Sequence, residues 1–196
     1  MKFIGITQSE ELKDDLNHDY IDSRWIDFFY KCDLTPILIP NNIKALKNMI
    51  KIINFDGFLL TGGGLIKSLG GKERRDQIEI FLIEFSLKNN KPIIGVCRGM
   101  QQIQNYFDVQ VYEIKNHVMP QQQIFINGEI VEKNSYHNFG SKYNNDREFD
   151  VWARSNDKII KAINHKKYKI TAIMWHPERL FPFHDDDIIF FKKSYS

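Results

Sequence analysis

The sequence predicts an α/β fold: a doubly wound, flavodoxin-like, mostly parallel sheet with an antiparallel hairpin appendage. Three observations carry this. Short apolar runs rich in β-branched residues alternate with amphipathic stretches through the first half of the chain, the rhythm of βαβ units. Ile93-Ile94-Gly95-Val96 is apolar on both faces, as a strand covered by helices on each side must be. Residues 123–126 and 129–131 flank Asn127-Gly128, whose two turn positions tolerate the positive φ of a tight hairpin.

Taken in order, residues 3–6 read as the first strand. Ile21, Trp25, Phe28 and Phe29 recur at the spacing of one helix face, which ends near Cys32, a small buried hydrophobe. Residues 35–39, stopped by Pro40, give a second strand, and 43–53 a helix with Lys44, Lys47 and Lys51 on its wet side. Residues 57–61 run as a strand into Gly62-Gly63-Gly64, and 73–88 is helical with Ile78, Leu82 and Phe85 on one face. Beyond Phe107 come the hairpin and two further strands at 148–154 and 168–175. Asp185-Asp186-Asp187 open a terminal helix over 188–193, where acidic side chains cap and complement the helix dipole.

With 196 residues and no linker or repeat, the chain reads as one domain, 1–196. Lys+Arg 27 against Asp+Glu 25, interspersed along the chain, provide no concentrated basic face for nucleic acid. The longest apolar stretches are about strand length, too short to cross a bilayer. Met1-Lys2-Phe3-Ile4-Gly5-Ile6-Thr7 lacks the apolar region of a secretory signal, and two unpaired cysteines suit a reducing compartment, so a cytoplasmic location is expected.

The sharpest feature is Gly95-Val96-Cys97-Arg98-Gly99, a cysteine between near glycines where a buried strand meets a helix. This is a nucleophile elbow with sulfur for oxygen: a strained turn needs small neighbours, and the helix N-terminus favours a thiolate. Trp175-His176-Pro177-Glu178 follows an apolar strand, and residues two apart in extended chain share a side, so Glu178 can orient the His176 imidazole. Cys97, His176 and Glu178 together supply a nucleophile, an acid/base and an orienting carboxylate. Thr61-Gly62-Gly63-Gly64 is a loop whose backbone N–H groups can approach an oxyanion. Its continuation fits neither a P-loop nor a dinucleotide fingerprint, so no ATP or NAD cofactor is called for, and no metal site stands out. Lys72, Arg74 and Arg75 read by default as a solvated helix start, and His18, His117 and His165 have no evident partners.

Thr61-Gly62-Gly63-Gly64, Gly95-Val96-Cys97-Arg98-Gly99-Met100-Gln101, Asn134-Ser135-Tyr136-His137 and Met174-Trp175-His176-Pro177-Glu178 resemble the class I glutamine amidotransferase-like superfamily. Cys-Arg-Gly-Met-Gln is similar to its γ-glutamyl hydrolase branch, which includes the γ-glutamyl-γ-aminobutyrate hydrolases. The resemblance implies that Cys97 is the nucleophile, His176 the general acid/base and Glu178 its partner. It implies an oxyanion hole from the backbone N–H groups of Arg98 and of Gly63 or its neighbour. Gln101 and the Ser135-Tyr136 backbone would hold the glutamyl part, with His137 nearby and Arg75 shaping the site. The implied reaction is hydrolysis of a γ-glutamyl amide through a γ-glutamyl thioester, on a small-molecule substrate, without nucleic acid or membrane, with a homodimer as the expected assembly.

The departures from that branch lie on the leaving-group side. Leu65-Ile66-Lys67-Ser68-Leu69-Gly70-Gly71-Lys72 replaces an Asp-containing, Pro-rich segment, and Asn138 stands where a second histidine is usual. A basic loop suits an anionic leaving group such as a phosphate or nucleotide, with Lys67, Lys72 or Arg74 near a diphosphate. The compact length and motif wording look like hydrolases that free a cytidine diphosphate amidate from a γ-glutamyl carrier for capsule modification. The rivals are a γ-glutamyl-γ-aminobutyrate-type hydrolase, a glutaminase subunit feeding ammonia to a separate synthase, a non-catalytic binding module and a cysteine peptidase.

Overall fold

The computed structural model describes residues 2–196. In chain order these form β1 (Lys2–Thr7), β2 (Ser9–Lys13), β3 (Leu16–Tyr20), α1 (Arg24–Lys31), β4 (Leu34–Ile39), α2 (Ile43–Ile52), β5 (Gly57–Leu60), α3 (Glu73–Asn89), β6 (Ile93–Val96) and α4 (Arg98–Tyr106). There follow β7 (Tyr112–Glu113), β8 (Val118–Ile126), β9 (Glu129–Tyr136), β10 (Phe139–Gly140), β11 (Phe149–Ser155), β12 (Ile160–His165), β13 (Ile170–Ile173) and α5 (Asp185–Ser194).

The central sheet runs β4-β1-β5-β6-β13-β12-β11-β8-β9. Its first five strands are mutually parallel, and the last four continue it antiparallel. The expected α/β class therefore holds, and the Asn127-Gly128 hairpin is the free end of this same sheet. Its strands reach further than their turn-proximal apolar residues indicate, because Val118 pairs as far back as Tyr136. Helices cover both faces. The α1 rings pack on α5, with Phe28 and Phe191 edge to face at 4.9 Å, while α2, α3 and α4 pack together on the other side. Two helix ends have a local reason: Asn42 caps α2 by accepting from the Lys44 and Ala45 amides, and α3 stops at left-handed Asn90.

Five strands escape the sequence reading: the hairpin pair β2 and β3, the two-residue strands β7 and β10, and β12. The β2–β3 hairpin turns on Asp14 and Asp15, both at positive φ, in a stretch without apolar alternation. Strand β12 was hidden by Lys161, a buried charge in an otherwise apolar run. The terminal helix begins at Asp185, and Asp187 does not cap it: its carboxylate accepts from Lys133 and from the Trp175 indole, both at 2.9 Å. No helix among the described residues is long and apolar enough to cross a membrane. Met1, part of the expected leaderless N-terminus, lies outside the described residues.

Chain order reverses around β1, with β4 on one side and β5 then β6 on the other. Open α/β sheets bind ligands outside the carboxyl ends of strands at such a switch. The carboxyl ends of β1, β5, β6 and β13 bring Thr7, Thr61, Cys97 and the segment Met174 to Glu178 to that edge.

Candidate active site

Cys97 links β6 to α4 at φ 51°, ψ −104°, a strained conformation for a residue with a side chain. Its amide donates to the Ile173 carbonyl at 2.9 Å, and its carbonyl accepts from the Gln101 amide at 3.0 Å, so both neighbouring elements fix the turn. The helix can start so close to the sheet only because Gly99 has no side chain: a Cβ there would lie 2.1 Å from the Leu60 carbonyl oxygen. Arg98 opens α4, so its N–H belongs to the first turn, whose amides have no acceptor within the helix.

His176 leaves β13 fully buried, and its Nδ1 faces Glu178 Oε1 at 2.7 Å. Glu178 sits in the short turn Pro177–Arg179, so the carboxylate is presented from the next loop of chain. Asn134 clamps His176 at the backbone: its Oδ1 accepts from the His176 amide and its Nδ2 donates to the His176 carbonyl, each at 2.7 Å. A Cβ on Gly62 would fall 2.6 Å from His176 Cε1 and 3.4 Å from the Cys97 Cβ, so the glycine loop, thiol and imidazole meet at one point.

Burial alone would raise the Cys97 thiol, but the charge and hydrogen-bonding influence of His176 outweigh it and hold the thiol below its ordinary value. Burial likewise disfavours a charged His176, yet Cys97 and Glu178 push it up to about 9. A thiolate beside an imidazolium is the favoured form of the pair. Cys32 supplies the contrast: without an imidazole, burial pushes it up to about 12.

The Thr61–Gly64 loop is shaped by Arg75. Far from being a solvated helix start, Arg75 is 3% exposed, and every donor of its guanidinium is used. It donates to the carbonyls of Thr61 (2.6 Å), Gly62 (3.1 Å) and Gly63 (2.8 Å), to the Thr61 and Ser9 hydroxyls, and to Glu79 (2.8 Å). It thus shapes the loop and has no N–H left for a substrate. Glu79 and Asp76 also bind the buried Arg98 side chain, tying the elbow to α3. Two guanidinium groups and two carboxylates neutralise each other beneath the site, and Thr7 joins them by donating to Glu79 at 3.1 Å.

On the opposite side lie Gln101, Ser135, Tyr136 and His137. Gln101 donates to the Phe139 carbonyl at 3.0 Å, the Tyr136 carbonyl is 4.0 Å from the Cys97 sulfur, and the Tyr136 ring faces His176 at 6.0 Å. Behind them is a residue with no sequence signal beyond being a lysine in an apolar run. Lys161 Nζ approaches His137 Nε2 (2.6 Å), His117 Nδ1 (3.0 Å) and Ser135 Oγ (3.1 Å), three acceptors for three protons. His137 Nδ1 donates to the Phe139 carbonyl and His117 Nε2 to Asp157, which leaves the facing nitrogens as acceptors. His117, partnerless in the sequence reading, is therefore part of this cluster. Among the described residues no carboxylate touches the Lys161 ammonium; burial pushes it down to about 7, against the pull of Asp157 and Cys97. His18 and His165 stay outside the site, His165 facing Glu148 at 3.2 Å.

The basic loop is less free than its sequence implies. Lys67 pairs with Glu73 at 3.0 Å, Arg74 donates to the Asn41 carbonyl at 3.1 Å, and Lys72 stands 3.7 Å from Glu10.

The glutamine amidotransferase class-I family model matches residues 17–193. The chain is 29% identical over 187 residues to the γ-glutamyl-CDP-amidate hydrolase of Campylobacter jejuni, covering 90% of each protein. It is also 29% identical over 155 residues to anthranilate synthase component 2 of Cyanophora paradoxa, covering 74% of this chain and 78% of that one. Among solved structures, the glutaminase domain of Trypanosoma brucei CTPS with bound acivicin superposes with a TM-score of 0.73 at 14% identity, over 100% of this chain and 94% of that one. The elbow, the buried His176–Glu178 pair and the glycine loop thus stand in a chain that belongs to the class I glutamine amidotransferase family.

Proposed function

We propose that this single-domain chain is a cysteine-dependent γ-glutamyl amidohydrolase acting in the cytoplasm on γ-glutamyl-CDP-amidate, releasing glutamate and cytidine diphosphoramidate for capsule modification. The observation that carries the chemistry is the strained Cys97 turn facing a His176 that is itself held by Glu178 at 2.7 Å. The likeness to the Campylobacter jejuni hydrolase over nine-tenths of both chains supports the substrate.

The thiolate of Cys97 attacks the γ-carbonyl, and the N–H groups of Arg98 and Gly63 stabilise the developing oxyanion. His176, protonated in the resting pair, gives its proton to the departing amidate nitrogen, so the C–N bond breaks and a γ-glutamyl thioester remains. His176 then takes a proton from water, whose oxygen attacks the thioester and frees glutamate and the thiolate. Gln101, Ser135, Tyr136 and His137 surround the glutamyl end.

The test is glutamate release by purified protein from γ-glutamyl-CDP-amidate, glutamine, γ-glutamyl-γ-aminobutyrate and a γ-glutamyl dipeptide, with Cys97→Ala as the blank. Preference for the nucleotide amidate is the expected result. A second reading, a glutaminase subunit serving a separate synthase, draws on the equal identity to anthranilate synthase component 2. Strong preference for plain glutamine would select it.

A further inference from the structure

The β2–β3 hairpin carries a side chain that the reaction above leaves unused. Ser9 seats β2 on the glycine loop: its hydroxyl donates to the Gly62 carbonyl at 3.2 Å and accepts from Arg75 at 3.1 Å. A Cβ on Gly63 would come within 2.9 Å of that hydroxyl. On β3, Asp19 accepts from the Asn41 amide and side chain at 2.8 and 3.0 Å, which anchors the other strand. With the hairpin held at both strands, Glu10, Gly63, Gly64, Leu65, Gly71 and Lys72 help enclose a cleft of about 180 Å³ beside the glycine loop.

Glu10 follows Ser9 directly. Its side chain is 5% exposed, and neither carboxylate oxygen accepts a hydrogen bond from any described residue. A carboxylate removed from water and given no donor is costly, and such groups are the ones that a ligand completes. The nearest cation, Lys72, is 3.7 Å away and 47% exposed, at the rim of the cleft. The other cations nearby are committed: Arg75 to the loop carbonyls, Arg98 to Asp76 and Glu79, and Lys67 to Glu73. The cleft therefore offers an acceptor pair inside and a single cation at its mouth. Its complement is a group with N–H donors at one end and negative charge at the other.

We propose that this cleft is the leaving-group subsite, in which Glu10 accepts from the exocyclic amino group of cytosine while Lys72 meets the diphosphate. The inference rests on the nucleotide-amidate reading and adds the residue that reads the base. A carboxylate matches the cytosine amino group and opposes the uracil carbonyl at the same position, acceptor against acceptor. The small volume suits one pyrimidine ring, leaving sugar and phosphates to the rim.

The test compares kcat/KM for γ-glutamyl-CDP-amidate and γ-glutamyl-UDP-amidate in wild type and Glu10→Gln. The ratio within one variant cancels any loss of folded protein. The wild type should favour cytidine by about tenfold or more, and Glu10→Gln should bring the two within about threefold. Calorimetric titration with CDP and UDP should show the same loss of discrimination without relying on turnover. A wild type indifferent to the base, or a Glu10→Gln protein keeping the wild-type ratio, overturns the assignment of Glu10. Glutamate release from a γ-glutamyl dipeptide but from neither nucleotide amidate overturns the nucleotide reading itself, and the subsite with it.

Discussion

Replacing Gly99 by alanine should cripple the elbow while leaving the fold largely intact. The added Cβ would sit 2.1 Å from the Leu60 carbonyl oxygen and 2.7 Å from the Leu60 carbonyl carbon and Cβ, where ordinary contact begins at 3.4 Å. Two of those atoms are backbone, so no rotamer change relieves the clash. The first turn of α4 and the end of β5 must separate by roughly an ångström or more, the difference between 2.1 and 3.4 Å. Overpacking of this kind costs about 1–3 kcal/mol of stability. The larger effect is on rate, because α4 carries Cys97 and the Arg98 N–H while β5 leads into Gly62 and Gly63. A displacement of about 1 Å between such groups is worth ~10²-fold. The assay is kcat for glutamate release, measured well below the melting midpoint of the variant. A Gly99→Ala protein with kcat within about threefold of wild type would refute the packing argument.

Three further outcomes follow from the same geometry. Asn134→Ala strips both hydrogen bonds from the buried His176 backbone, and each unsatisfied group costs ~1–3 kcal/mol, so kcat should drop by at least about tenfold with KM much less affected; an unchanged kcat removes Asn134 from the positioning role. The kcat/KM profile should be bell-shaped: the acid limb is thiol protonation below the ordinary thiol range, and the alkaline limb, near pH 9, is loss of the His176 proton needed by the leaving nitrogen. A profile still rising through pH 9 would show that the thiol is not depressed. Lys161→Met removes a buried positive charge felt at Cys97, so the acid limb and the pH dependence of Cys97 alkylation should both move to higher pH; an unmoved acid limb would place Lys161 in a packing role alone.

Local chemistry made the parallel half of the sheet readable. The strands at β1, β4, β5, β6 and β13 are short apolar runs, the first three stopped by a polar residue or proline, and the elbow glycines and the His-Pro-Glu turn announce their geometry within five residues. What stayed hidden depends on contacts between distant segments. Arg75 looks like any basic residue at a helix start until the glycine loop closes over it, and then its donors are spent on Thr61, Gly62 and Gly63. Lys161 argues against a buried strand in isolation; three acceptors, from the residue before β8, from β9 and from the residue after it, make its burial tolerable. The β2–β3 hairpin lacks an apolar face altogether and is held by polar anchors at Ser9 and Asp19, so no hydrophobic period reveals it. Glu10 and its cleft were illegible for the same reason.

The most direct measurement is mass spectrometry of protein quenched in acid during turnover of γ-glutamyl-CDP-amidate. One γ-glutamyl group should be recovered on the peptide containing Cys97, and none from the Cys97→Ala protein. Turnover with no adduct on Cys97, or glutamate release that survives Cys97→Ala, would contradict thioester chemistry at this elbow.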